Sequence, residues 1–170
     1  MEGFQGFAAQ MTDTALESIR QNPNVAYVEA DGITRGNQTL VWGIDRIDQH
    51  DLPLNSRYRQ GKTGFGVKVY VLDSGIRKTH QEFGSRVATG IDFMGDGQGT
   101  NDCNGHGTHV AGTIGGKTIG VAREVTLIPV RVLGCNNTGL NSGLINGINW
   151  VSTNASRPAV ANVSIGTVSQ

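Results

Sequence analysis

A short apolar run that ends in a charged residue constrains this chain more than any other feature. Val67 to Leu72 is such a run, closed by Asp73-Ser74-Gly75. Runs of this length, rich in β-branched residues and stopped by a turn signal, form buried strands. Val125–Leu133 and Ala159–Ile165 repeat the pattern, although Pro129 fits a strand poorly because it cannot donate to a ladder. The segments between are helical in character. His106–Ile114 reads as a helix despite its glycines, and Leu144, Ile145, Ile148 and Val151 recur at helical spacing within residues 140–153. Strands alternating with helices require right-handed crossovers, and therefore a parallel sheet in an α/β fold. Active residues in such sheets gather at the carboxyl ends of strands, where Asp73 stands.

Upstream, residues 12–22 read as a helix, with Thr14 and Glu17 as a capping box and Asn22-Pro23-Asn24 as its stop. Val25–Val28 reads as a strand, giving a small α/β unit, and the polar stretch Asp31–Thr39 reads as an exposed linker. Residues 84–105, rich in Gly, Asp and Asn, read as loop. The 170 residues allow one sizeable core, or a small module beside an incomplete larger one. A formal net charge of zero gives no reason to expect a nucleic-acid partner. No apolar run has the length of a membrane span. Met1-Glu2-Gly3 does not open a signal peptide, so both ends of the chain look cut. Four Asn-x-Ser/Thr acceptors, at Asn37, Asn136, Asn154 and Asn162, agree with a secreted protein. The two cysteines, Cys103 and Cys135, are too few to close a structural zinc site; the residues alone leave free thiols and a disulfide equally open.

Asp73 and the run Asn104-Gly105-His106-Gly107-Thr108-His109 carry the chemistry. Taken singly, Asp73 is a turn former and His106 a hydrogen-bonded structural residue. An Asp that ends a buried strand is also a natural partner for a His, and glycines on either side of His106 allow close approach of other backbone or of a substrate. His106 and His109 are spaced three apart, but the run lacks the Glu of a His-Glu-x-x-His metal motif.

Taken together, Val69-Tyr70-Val71-Leu72-Asp73-Ser74-Gly75-Ile76, Asn104-Gly-His106-Gly-Thr-His-Val-Ala-Gly112 and Asn162-Val-Ser-Ile-Gly166 resemble the subtilisin-like serine proteases (peptidase S8) in motif, order and spacing. The likeness is strongest to the proteinase K branch and its bacterial alkaline members. Trp42-Gly-Ile-Asp-Arg-Ile-Asp48 looks like the start of the mature domain, so residues 35–170 resemble the N-terminal part of the catalytic domain. Residues 1–34 resemble the C-terminal part of the family's inhibitory propeptide (inhibitor I9-like), through Gly6-Phe7-Ala8-Ala9 and Asn22-Pro-Asn-Val-Ala-Tyr-Val-Glu29. The implied fold is a subtilisin-like parallel sheet with helices on both faces, incomplete, preceded by a partial α+β propeptide.

The resemblance implies a secreted, extracellular serine endopeptidase. It would be monomeric, with protein and peptide substrates and its own propeptide as partners, no nucleic acid and no membrane. Catalysis would use no cofactor. His106 would be the base that takes the proton of a Ser nucleophile, and Asp73 would hold its tautomer. The order Asp, His, Ser belongs to the subtilisins. The Gly-Thr-Ser-Met-like nucleophile motif and the oxyanion-hole Asn are expected beyond Gln170; Ser74 and Ser164 do not match that motif. An inactive fragment, or a pseudoprotease that binds without cleaving, is the alternative; a standalone propeptide-type inhibitor fits less of the chain. The family holds its substrate as an added strand between two backbone edges. The matching positions are Thr138-Gly139-Leu140 and Ser164-Ile165-Gly166, with Thr167 where the family has Gly. Without the resemblance, the second edge reads as a core strand and its turn. Close relatives in the bacterial branch have cysteines at both positions, so the resemblance implies a Cys103–Cys135 disulfide. A structural calcium ion is implied at Asp45, Asp48 and Gln49, although Asn55 and Arg57 stand where stronger ligands are expected.

Overall fold

The computed structural model describes residues 9–28 and 42–166. The chain divides into two units, Met1–Gln38 and Thr39–Gln170. In the first, α1 spans Asp13–Arg20. Its cap is Thr12, whose backbone is extended (φ −76°, ψ 159°) and whose hydroxyl accepts the Ala15 N–H. The Thr14–Glu17 box is therefore corrected: Thr14 lies inside the helix, where its carbonyl accepts from the Ser18 hydroxyl. Asp13 in the first turn and Arg20 in the last suit the helix dipole. Beyond Gln21, Asn22 Oδ1 accepts the Asn24 N–H and folds the chain around Pro23. Val25–Val28, expected as a strand, forms no ladder. Strand character needs a partner, and no second strand exists among the described residues of this unit. The linker expected at Asp31–Thr39 lies outside the described residues.

The second unit is built on a four-stranded, all-parallel sheet in the order β2-β3-β1-β4. β1 is Lys68–Asp73, β2 Ile91–Asp92, β3 Thr126–Arg131 and β4 Ala159–Val163. The helices are α2 (Trp42–Arg46), α3 (His106–Gly115) and α4 (Asn141–Asn154). Successive β1 side chains point to opposite faces. Val69 and Val71 pack with Ala111 of α3 and with Ile76, Phe83, Val125 and Leu127. Tyr70 and Leu72 pack with Ile128, Val130 and Val132, under Leu144, Trp150 and Val151 of α4. One helix thus covers each face, which explains why β1 reads as a continuous apolar run rather than an alternating one. Full burial of each such side chain contributes about 1.5–3 kcal/mol.

Pro129 fits its strand because of the parallel hydrogen-bond alternation. The Thr126 N–H turns to β1 (Val67 O, 2.9 Å), whereas that of Leu127 turns to Arg86 O (2.8 Å). Pro129, two residues on, therefore presents its missing donor to the β2 side, where Gly90 backs onto it. A Cβ at Gly90 would come 1.8 Å from the Pro129 carbonyl oxygen. β2 and the bridge of Val87 to Leu127 lie within the segment read as loop. A strand of two residues is too short to leave a periodic pattern.

Candidate active site

β1 delivers Asp73 to the carboxyl end of the sheet with no solvent exposure. α3 starts at His106, and the ring Nδ1 lies 2.8 Å from Asp73 Oδ1 and 3.0 Å from Oδ2. The His106 side chain is 38% exposed, so one face is held by a buried carboxylate while the other is open. Asp73 also accepts the Ser74 N–H at 2.7 Å. An acceptor on Nδ1 fixes the tautomer in which Nε2 carries the free lone pair, the arrangement a general base requires.

Glycine makes this approach feasible. A Cβ at Gly107 would lie 2.2 Å from the Gly75 carbonyl oxygen and 3.1 Å from Asp73 Oδ1, so only glycine lets the first turn of α3 rest on the end of β1. Gly75 itself has φ +108°.

Asp102, which the sequence reading passed over, organises the turn before His106. Its Oδ1 accepts from the Ser74 hydroxyl (2.9 Å), Asn104 N (3.0 Å) and Gly105 N (2.8 Å). Its Oδ2 accepts from Thr108 N (2.8 Å) and the Thr108 hydroxyl (2.5 Å). Burial acts to raise its pKa, but the Gly105 N–H, the Thr108 groups and the Ser74 hydroxyl outweigh this and hold the carboxyl below its usual value. The Ser74 hydroxyl in turn accepts the Gly107 N–H (2.9 Å), so β1 and α3 are joined through Ser74 as well as through the Asp73–His106 contact. The sequence signal was a carboxylate four residues ahead of His106, where helix N-termini favour acceptors.

Arg131 was also missed, although a charge inside an apolar strand is a signal in itself, since buried charges require partners. It is wholly buried, in register with Asp73. Its hydrogen bonds to Asp96 are the main cause of an Asp96 pKa lowered to about 2, and the same contacts raise its own.

The expected substrate edges flank this centre in the topology. Thr138-Gly139-Leu140 follows the carboxyl end of β3 and leads into α4; Ser164-Ile165-Gly166 follows β4; β1 runs between the two strands. Thr138, Gly139 and Leu140 are exposed, as are Ser164 and Gly166. Ile165 packs on the cluster that contains Leu133. Gly139 backs against β3, where a Cβ would meet the Val132 carbonyl oxygen at 2.1 Å. Cys103 and Cys135 are joined as a disulfide (S–S 1.99 Å), which ties the turn before His106 to the loop that leads to Thr138. Asn104 reinforces the tie by donating to the Cys135 carbonyl at 3.0 Å. A cavity of about 390 Å³ flanks α3, lined by Arg77, His80 and His109 among others, and does not include His106.

Asp45, Asp48 and Gln49 lie apart from this centre, in α2 and the turn after it. Asp45 is buried; its Oδ2 accepts the Ser56 N–H at 2.8 Å, and its Oδ1 has no partner among the described residues. Asp48 accepts the Arg59 N–H, and Gln49 Oε1 accepts that of Asn55. No three His, Cys, Asp or Glu side chains converge as a metal site among the described residues.

Comparison with known proteins agrees with this geometry. The family model described as "Subtilase family" matches residues 64–170, and "Peptidase inhibitor I9" matches residues 1–35. An "Extracellular serine proteinase" of Thermus sp. (strain Rt41A) is 52% identical over 165 residues, covering 95% of this chain and 40% of the relative. "Alkaline serine exoprotease A" of Vibrio alginolyticus is 48% identical over 170 residues, covering 95% of this chain and 32% of the relative. Among solved structures, that of a cold adapted subtilisin-like serine proteinase matches at 51% identity with a TM-score of 0.74, covering 78% of this chain and 48% of that one. The chain thus spans less than half the length of these relatives. With a parallel sheet that carries Asp73, a helix that opens on His106, and a family model matched over residues 64–170, the chain belongs to the subtilase family.

Proposed function

We propose that this chain is the Asp- and His-bearing part of a secreted serine endopeptidase precursor, whose Ser nucleophile and oxyanion-hole Asn lie outside residues 1–170. The carrying observation is the contact of His106 Nδ1 with the fully buried Asp73 carboxylate at 2.8 Å. His106 takes the Ser proton through Nε2 and returns it to the leaving amine. Asp73 holds the tautomer and stabilises the imidazolium, and does not itself become protonated. The exposed edges Thr138–Leu140 and Ser164–Gly166 receive the substrate as an extended strand, main chain to main chain.

Residues 1–34 act as the C-terminal part of the inhibitory propeptide, and residues 35–170 belong to the catalytic domain. The matched segments 1–35 and 64–170 and the division of the fold after Gln38 support this boundary. The mature enzyme is extracellular and monomeric, and takes protein and peptide substrates. The name of the Thermus relative supports the location, and no helix among the described residues is long and apolar enough to cross a membrane. Asp45, Asp48 and the Gln49 carbonyl oxygen suit calcium, a hard cation that prefers oxygen. The unpartnered Oδ1 of buried Asp45 supports this, since a carboxylate oxygen so placed gains most from a cation. The ion would be structural, with no part in the reaction.

A fluorophosphonate probe tests the central assignment, because it reacts only with an activated serine. With the propeptide removed from both complete proteins by an added protease of another class, the wild type is expected to label at one Ser and the H106A variant to lose the label. Equal labelling of both proteins would overturn the assignment.

A further inference from the structure

Arg131 places a full charge where the β1–β3 pair is most buried, and the chemistry proposed above gives it no role. Its side chain has no solvent exposure. A guanidinium buried so completely is tolerated only when its donors are well satisfied. Nη1 and Nη2 form a fork on Asp96 at 2.6 and 2.7 Å, and Nη1 also lies 3.2 Å from Asp92 Oδ1. Nε donates to the Ser74 carbonyl at 3.2 Å. Nη2 lies 3.5 Å from Cys103 Sγ and 4.0 Å from Cys135 Sγ.

These partners come from several of the segments that frame the site. Ser74 follows Asp73, Asp92 ends β2, Asp96 lies in the turn beyond it, and Cys103 stands three residues before His106. The backbone just after β3 grips the same turn, because the Val132 and Leu133 N–H groups donate to the Asp73 carbonyl at 2.9 and 3.2 Å. Two consecutive carbonyls, of Asp73 and Ser74, are thus fixed from the end of β3, the first by the main chain just after it and the second by the Arg131 side chain.

We infer that Arg131 is a positioning residue for the Asp73–His106 pair: by holding the Ser74 peptide against the Asp96 turn and the disulfide, it sets the angle at which the Asp73 carboxylate meets the imidazole. The inference rests on the peptidase reading. Arg131 is buried and takes no part in substrate binding, so its effect falls on kcat and not on KM. Lysine keeps the charge, but a single ammonium cannot fork Asp96 and also give an N–H to Ser74.

The test compares wild-type enzyme, H106A, R131K and D96N, each freed of its propeptide by an added protease that is then inhibited, in peptide hydrolysis well below the melting temperature, with the folded fraction measured for each. R131K is expected to lose about tenfold in kcat with KM within about twofold, as follows from leaving one buried carbonyl unpaired at the catalytic turn. D96N loosens the fork but spares the Ser74 bond, so its kcat is expected to fall about threefold. Wild-type kcat in R131K, or a loss that only mirrors its folded fraction, overturns the inference. If R131K does not fold, D96N decides, and wild-type kcat there overturns it. A wild type no more active than H106A would instead refute the peptidase reading, and this inference with it.

Discussion

Gly107→Ala isolates the close approach on which the Asp73–His106 contact depends. The added Cβ would lie 2.2 Å from the Gly75 carbonyl oxygen, an atom of backbone that cannot rotate away, and 3.1 Å from Asp73. α3 must therefore move off the end of β1. Overpacking of this kind costs about 1–3 kcal/mol, against which replacing a helical Gly returns about 0.5–1 kcal/mol. The displacement also acts on the chemistry, since a shift of about 1 Å at a catalytic group lowers turnover by roughly 10²-fold. Gly112→Ala in the same helix is the control. Its Cβ would meet only Ile119 Cδ1 at 3.6 Å, an ordinary contact, so it should keep full activity and gain slightly in stability. Both variants are made in the complete precursor and read by melting temperature and peptide turnover. If G107A matches wild type in both, the steric argument for this site is wrong.

Acid stability should depend on Asp96. Its folded pKa, about 2, lies below the ordinary value of 3.8, so the stabilisation is complete above the unfolded value and is lost as pH falls from there towards 2. D96N should flatten this acid limb between those pH values in a pH-melting series, and an unchanged limb would refute the linkage. Reduction of the Cys103–Cys135 disulfide should destabilise by about 3–4 kcal/mol on the chain-entropy model, and intact mass under nonreducing conditions should show no free thiol. Calorimetry should find weaker calcium binding in D45A than in wild type, and equal affinity would remove the α2 site. The complete precursor should cleave itself between about Gly32 and Asn37, a segment outside the described residues, and normal maturation of a catalytic Ser→Ala variant in a protease-free host would show that another protease does it.

Asp73 and His106 stand at junctions the sequence marks, one at the end of an apolar strand and the other at the start of a helix between glycines. Singly these read as a turn and a structural histidine, and only the resemblance of the combined motifs paired the two residues, which the structure brings within 2.8 Å. The parallel sheet was legible because buried strands and amphipathic helices leave patterns several residues long. What escaped was non-local. Arg131 acquires its meaning from Ser74 and Asp96, and the tie of Asp102 to β1 runs through Ser74, so no local window contains both sides of those bonds. The bonds of Asp102 to Asn104, Gly105 and Thr108 are local, but only the folded chain points that carboxylate toward them. Pro129 looked awkward because the sequence does not show which neighbour its missing donor would face. The cap of α1 moved from Thr14 to Thr12 because both residues offer the same hydroxyl, and only the extended backbone at Thr12 decides between them. Val25–Val28 has strand composition without a partner strand among the described residues, and composition alone does not create a ladder.

The most direct measurement is the turnover of a peptide substrate by the complete enzyme carrying Asp73→Asn, its propeptide removed by an added protease that is then inhibited. Asparagine keeps the shape of Asp73 and can still meet His106 Nδ1, but it no longer holds the tautomer that leaves Nε2 free as a base. The expected result is a fall in kcat of about 10⁴-fold near neutral pH, with melting temperature and KM little changed. A D73N enzyme that turns over at the wild-type rate would contradict the assignment of His106 as the general base and Asp73 as the carboxylate that orients it.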